Sequence, residues 1–398
     1  MIEAPLEGVT VLDLGQVYQG PYAGFLMARA GADVIKVEPP TGDSVRKRPG
    51  ETGYTFSALN AGKQSVVLDL KSSHGVALLH RLVEHADILL ENFVPGTMER
   101  LGCSPGKLLE INPRLIYASG SGFGRTGPAR RKPAMDLTIQ AAAGVLSLTG
   151  EPDGVPTRAG PAVADFIAGI HMYGAAVSGL LARSRTGRGG VVEVAMIEAL
   201  VPTLLSSMAW MFERDVTRPP RTHNHHSGEA VAPHNVYPTR DGWVAILCLT
   251  DDQWARLTKA MDSPDLSSRP GLATTAERIR NQDELDEIVA AWTRSHSADE
   301  VSHLCEENRV PASPVREIRD VMSDAGMRER GFLYDVARPG GGTSTFFNSP
   351  LRFAESTPQP PFPAPRLGQH TEEVLETLLH LGTDEVNELR SRGAFGRP

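Results

Sequence analysis

In the stretch GPAVADFIAGIH (160–171) a single carboxylate, Asp165, stands among small and apolar residues at the mouth of a helical pattern. Two readings fit that placement. Asp is a favoured N-cap, and an apolar helix beginning at Phe166 needs one. A carboxylate is also a nucleophile that needs no general base, because with a reference pKa near ~3.9 it is already ionised at pH 7. It is a weak nucleophile, suited to an activated carbonyl such as a thioester and to exchange between carboxyl groups of similar energy. Such a site must exclude water. Gly160, Ala162, Ala164, Ala168 and Gly169 are small enough to let backbone amides approach a developing oxyanion. On the residues alone, acyl transfer and simple capping both stay open.

Other chemistries find less support. GFGRTG (122–127) is a literal GxGxxG after a strand-like run. A dinucleotide fingerprint opens a helix at its last glycine and meets an acid ~20 residues on. Here Pro128 and ARRKP follow, and Asp136 arrives too soon. What remains is a glycine-rich loop that lets a ligand or another backbone approach closely. His223, His225 and His226, joined by His234, match no metal-ligand spacing and have no cysteine beside them, so no metal is expected. No serine sits in a GxSxG elbow. Two basic runs, RKR (46–48) and RRK (130–132), read first as solvated charge and second as local sites for an anionic ligand.

The elements that must position these residues alternate in type. Strand-like runs at 9–15, 32–40, 65–70, 87–93 and 114–119 are separated by helical stretches at 20–31, 72–86, 95–102 and 104–113. Such alternation predicts right-handed βαβ crossovers and a doubly wound, mostly parallel sheet, with ligands at the carboxyl ends of the strands. ENF (91–93) and GSGFGRTGP (120–128) lie at those ends. Helices are predicted at 136–148, 165–183 and 197–212, with a strand at 190–196. The polar, proline-containing stretch 213–235 reads as a linker. Beyond it a strand at 242–249 and three helical stretches, the last with a Ser297/Glu300 capping box, predict a smaller α+β domain over 236–326. From 327 the chain is loop-rich and ends in a helix at 371–381. The expected fold class is therefore α/β, with a Rossmann-like large domain (1–200) completed by 327–398.

Composition narrows the class further. The 398 residues are 40% hydrophobic and 22% charged, an ordinary globular balance. A formal net charge of −8 argues against nucleic acid as a partner. No run approaches the ~18 continuous apolar residues of a membrane span, and the three cysteines suggest neither disulfides nor a CxxC site. A cytoplasmic protein without membrane attachment is expected.

Several segments together resemble one family. GPYAGFLMARAGADVIKVEPPTGDSVR, LNAGKQSVVLDLK, LLENFVPGTMERLG, INPRLIYASGSGFGRTGP and VADFIAGIHMYGAAVSGLLARSRTGRGGVVEVAM occur in the order and spacing of the class III CoA-transferases, the family of formyl-CoA transferase and carnitine CoA-transferase. VYPTRDGWVAI extends the likeness into the second domain. The resemblance implies an interlocked homodimer, each chain having a large nucleotide-binding-like domain and a small one. It implies that Asp165 attacks an acyl-CoA thioester to give an aspartyl-acyl anhydride. CoA thiolate then returns to form an aspartyl-CoA thioester, from which an acceptor carboxylate takes CoA by a second anhydride. It places Asp136 beside the reaction centre as a second catalytic residue. It assigns the CoA site to Tyr18, Leu68, Lys71, Asn92, Phe93, Arg100, Gly122 and Gly124, with Lys and Arg matching phosphates. Coenzyme A enters as a thioester substrate, and no permanently bound cofactor is implied.

The departures from the family pattern set the alternatives. The related α-methylacyl-CoA racemases use a histidine directly before the acid at 136, together with the aspartate matching Asp165, as two bases. Here that position is Met135, which favours transfer over racemisation. Val94 and Pro39 stand where formyl-CoA transferase has other residues, which separates this chain from the formyl/oxalate pair. The covering glycine-rich loop of some members is reduced to Gly228 and Gly242 between 221 and 243. A racemase or epimerase, and a CoA-ester-binding protein in which Asp165 is only a cap, are the two other readings.

Overall fold

The computed structural model describes residues 4–47, 53–337, 342–352 and 363–396. These fall into two compact units. One is drawn from Met1–Ala143, Gly160–Val201 and Asp324–Pro398, the other from Gly144–Ala159 and Pro202–Ser323. The stretch 144–159, expected within the large domain, groups with the second unit.

The first unit is built on β1 (Thr10–Asp13), α1 (Gln19–Arg29), β2 (Asp33–Glu38), α2 (Tyr54–Asn60), β3 (Gln64–Val67), α3 (Ser73–Glu84), β4 (Ile88–Glu91), α4 (Thr97–Arg100), α5 (Pro105–Ile111) and β5 (Ile116–Ser121). After α6 (Asp136–Ala142), and past a short α7 (Val145–Leu148) that groups with the second unit, α8 (Val163–Thr186) leads to β6 (Gly190–Ala195). Among the described residues these strands form one six-stranded parallel sheet in the order β3-β2-β1-β4-β5-β6. This is the doubly wound arrangement, whose order reverses between β1 and β4. Ile88, Leu89 and Leu90 are all fully buried, as expected of a central strand covered on both faces. Ser72 caps α3 and Ser104 caps α5, where Pro105 takes the first helical position. The helix Thr371–Leu379 returns to this core, where Val374 and Leu375 join Val66 and Leu78.

Several expected boundaries move, for identifiable reasons. The helix predicted over 136–148 breaks at Gly144, whose φ of +93° no helix accommodates. The apolar helix at 197–212 splits into Met196–Leu200, a 3-10 turn Val201–Leu204 and Leu205–Glu213, with Pro202 at the break. The stretch after 327 contains an antiparallel strand pair, Leu333–Ala337 and Thr343–Phe347, and a further helix Thr383–Ser391 follows the expected last one. Of its glycine run at 340–342, only Gly342 is among the described residues.

The helix α8 is long and apolar enough, by length and composition, to cross a membrane. In the first unit it lies on α1, β5 and β6, burying Ala164, Ala168, Met172 and Ala176 at four-residue spacing. Gly169 permits the close approach to α1, since a Cβ there would come within 2.9 Å of the Gln19 carbonyl oxygen.

The second unit holds a three-stranded antiparallel sheet of His234–Pro238, Trp243–Leu247 and Ala312–Pro314. Trp254, Leu257, Leu285, Val289 and Val301 form its core. The Ser297/Glu300 capping box is present at the start of helix Ala298–Glu307.

Candidate active site

The site is assembled where the strand order reverses. The turn after β1 is drawn tight by glycines, Gly15 and Gly20 approaching so closely that a Cβ on either would lie 2.7 Å from the other's Cα. Asn92, just past β4, holds this turn with both ends of its amide: Oδ1 accepts from the Gln16 N–H at 2.7 Å and Nδ2 donates to the Gln16 carbonyl at 2.9 Å. Val17 is held at a φ of +65°, a strained conformation for a β-branched residue.

A buried charge network underlies the turn. Asp13 Oδ1 accepts from the Gly15 N–H at 2.8 Å, and Oδ2 accepts from Lys63 Nζ at 2.7 Å. Lys36 donates to the Gly15 carbonyl and pairs with Asp43 at 3.1 Å. Burial alone would raise the Asp13 carboxyl, but Lys63 and Lys36 overcome it and hold the group below its usual value.

Asp165 is not the cap of its helix. The N-cap position of α8 belongs to Ala162, which places Asp165 in the first turn. Capping comes from another element: Asp136, the first residue of α6, accepts from the Ala164 N–H at 2.8 Å and the Asp165 N–H at 3.3 Å through Oδ1. Its Oδ2 takes a 2.6 Å bond from Gln140 Nε2. Asp136, expected as a catalytic residue, thus bonds the backbone that carries Asp165 through one carboxylate oxygen and the Gln140 side chain through the other. The Asp165 side chain, 9% exposed, lines a cavity of about 160 Å³.

Loops from three strand ends enclose that cavity: Gln16 and Val17 after β1, Asn92 to Pro95 after β4, and Ser121 and Gly122 after β5. Among its described lining residues Asp165 is the only carboxylate, while Arg130 and Lys132 are cations. The RRK run is therefore partly a site feature. The RKR run is not, as far as it is described: Arg46 makes a two-pronged ion pair with Glu38 at 2.6 and 2.7 Å, and Arg48 lies outside the described residues. Met135 also lines the cavity, 56% exposed, so the position where a racemase carries its second base presents a thioether.

A second, larger groove of about 700 Å³ shares Val94, Pro95 and Arg130 with the first and adds Arg100, Arg125 and Arg131. Arg125 is tied to Glu91 at 3.7 Å and Glu99 at 3.3 Å. Burial raises the Glu91 carboxyl above its usual value. Four guanidinium groups along one groove suit a ligand with several phosphates.

The residues expected to bind CoA separate into two sets. Asn92, Phe93, Gly122 and Arg100 meet around these two cavities. Gly122 is there because its neighbour leaves no room: a Cβ would lie 2.1 Å from that of Ala134. Gly124 takes a φ of +86°, and its N–H donates to Ser121 Oγ at 3.0 Å. Tyr18 stands at the start of α1 with its ring 5.8 Å from that of Phe166. Leu68 is buried in the sheet core and Lys71 is exposed beyond β3, so they share the carboxyl edge of the sheet but line neither cavity. Sequence reasoning missed Gln16, Val17 and Gln19; the signal was available in QVYQGP, where a polar loop runs into a proline-containing first turn.

The histidines serve the second unit. His225 Nε2 lies 2.7 Å from Asp286 Oδ2, an oxygen also bonded by Asn235, and Tyr237 donates to Asp286 Oδ1 at 2.6 Å. His226 Nδ1 accepts from the Gly228 and Ala230 N–H groups. No cluster of metal-ligating side chains occurs among the described residues. Burial raises the thiols of Cys103 to about 11 and of Cys248 and Cys305 to about 12, which makes them poor nucleophiles.

Comparison with known proteins agrees with this geometry. Residues 6–371 match the model of CoA-transferase family III. The succinyl-CoA:mesaconate CoA-transferase of Haloarcula hispanica is 37% identical over 395 residues, covering 96% of this chain and 98% of that protein. The succinyl-CoA–D-citramalate CoA-transferase of Chloroflexus aurantiacus is 37% identical over 394 residues, covering 98% and 97%. A CAIB/BAIF family protein from Brucella suis superposes with a TM-score of 0.82 at 31% identity, covering 94% of this chain and 100% of that one. A parallel sheet whose switch point gathers a buried aspartate and an arginine groove, together with these matches over nearly the whole length, makes the chain a class III CoA-transferase.

Proposed function

We propose that the protein moves CoA between dicarboxylic acids through covalent intermediates on Asp165. The observation that carries this reading is the Asp165 cavity itself, in which one buried carboxylate faces a space that also holds Arg130 and Lys132. The carboxylate attacks the donor thioester carbon, CoA leaves as thiolate, and the thiolate returns to the aspartyl carbonyl while the donor acid departs. An acceptor carboxylate then repeats the sequence in reverse. The positive end of the α8 dipole favours the anionic species formed at each step. Arg130 and Lys132 suit the far carboxylate of a dicarboxylic acid. Relatives named for succinyl-CoA with mesaconate or D-citramalate support that substrate class. The neighbouring arginine groove is suited to CoA phosphates, and Asp136 acts as a positioning residue.

Ile170 and Leu181 on α8 and Val191 on β6 are exposed apolar side chains, which a second copy of the chain would cover in a homodimer. The buried thiols fit a reducing cytoplasm. The test is a transfer assay with succinyl-CoA as donor and mesaconate, citramalate, glutarate, acetate and butyrate as acceptors. Transfer to one or more of the dicarboxylates, and little to acetate or butyrate, is expected. With Met135 in place of a second base, no deuterium enters the α-carbon of a 2-methylacyl-CoA in D2O. Deuterium exchange without transfer would replace this reading with a racemase.

A further inference from the structure

The Asp165 cavity contains a polar group that the fold leaves unused. Gln19, the first residue of α1, is 2% exposed, and its Nε2 has no hydrogen-bond partner among the described residues. A buried donor in that state is destabilising, so its retention calls for a reason outside the folded chain. Asn92, on the same cavity, shows what a structural amide looks like, with both ends bonded to Gln16.

The sheet makes room for this side chain. A Cβ on Gly120, in β5, would lie 2.7 Å from both Cδ and Nε2 of Gln19. Gly120 pairs with Val194 inside the sheet and needs no positive φ, so backbone conformation does not call for a glycine there. Glycine inside a strand is unfavourable unless something must come close, and what comes close is the Gln19 carboxamide. The backbone of Gln19 is placed with equal care, its carbonyl lying against Gly169, one turn along α8 from Asp165.

We propose that Gln19 is a catalytic residue of the transfer, donating from Nε2 to the carbonyl oxygen of the acyl group that Asp165 attacks. This rests on the function proposed above. In the step, the bond from an Asp165 carboxylate oxygen to the carbonyl carbon forms, the C–S bond breaks, and its electron pair leaves on CoA sulfur as thiolate. The carbonyl oxygen carries negative charge only between those events. Gln19 meets that charge with a neutral N–H and gives up no proton. A transient oxyanion suits a neutral donor, whereas the permanent charge of a distal carboxylate suits Arg130 and Lys132.

The experiment compares wild type with Gln19→Met, which keeps length and removes the donor. The expected result is a kcat lower by about 10²–10³-fold, the scale of losing one oxyanion donor, with KM for succinyl-CoA within about threefold and the melting temperature unchanged or raised. Gly120→Ala, which displaces the amide without replacing Gln19, lowers kcat in wild type and adds nothing in the Gln19→Met background. A Gln19→Met enzyme with wild-type kcat, or with kcat intact and KM alone raised, overturns the proposal, the latter by making Gln19 a ground-state contact. If wild type itself transfers no CoA, the proposed function falls and the oxyanion role falls with it. If wild type transfers and Gln19→Met is equally fast, only the role of Gln19 falls.

Discussion

At the scale of single residues, the main lesson is a division of labour between two aspartates. Asp165 offers capping and nucleophilic attack as rival roles in the sequence, and the structure gives the capping to Asp136, 29 positions away from the N–H of Asp165. A cap supplied by a distant side chain leaves no local signature, so neither the true N-cap at Ala162 nor the task of Asp136 was legible. The small residues around Asp165 were legible, and in the structure Ala164, Ala168 and Gly169 are buried where α8 packs on α1. Asp136→Ala is expected to lose about 1 kcal/mol of stability, the usual cost of a lost cap, and to lower kcat about tenfold with KM nearly unchanged. Thermal melting and steady-state kinetics check this, and a variant with full kcat would show that the cap is irrelevant to the nucleophile.

At the scale of elements, strand and helix alternation was readable because a buried parallel strand is a short aliphatic run and each crossover helix carries its own period and stops. The misses have local causes: Gly144 and Pro202 break helices whose apolar pattern continues through them, and the strands Leu333–Ala337 and Thr343–Phe347 flank a glycine run that masked them. The loops were hardest, since buried charges rather than pattern hold them. Glu38 at the end of β2 is an example. Burial alone would raise its carboxyl, but Arg46, Ser65 and the Asp43 N–H bond it and bring it below 4.5. A carboxylate lowered on folding adds stability that is present above its unfolded value and lost as pH falls through the folded one. Glu38→Gln should therefore cost about 3–5 kcal/mol at pH 7, the scale of breaking a buried pair, and the gap to wild type should narrow below pH 4.5. Denaturant titrations at pH 7 and pH 3.5 measure it, and a gap that stays constant would contradict the assignment.

At the scale of the whole molecule, a net charge of −8 argues against general affinity for polyanions yet says nothing of one groove, where Arg100, Arg125, Arg130 and Arg131 gather. The family was readable because its motifs recur in order across most of the chain; Gln19 and the Arg130–Lys132 pair became meaningful only when the sheet brought them to Asp165. The central claim is covalent catalysis at that aspartate. It is tested most directly by incubating the protein with succinyl-CoA, quenching at mild acid and sequencing the peptides by mass spectrometry. The account predicts a CoA thioester on Asp165 and none in Asp165→Asn, which also loses at least about a thousandfold in turnover. Transfer that proceeds at full rate with no adduct on Asp165, or with the adduct on another residue, would contradict it.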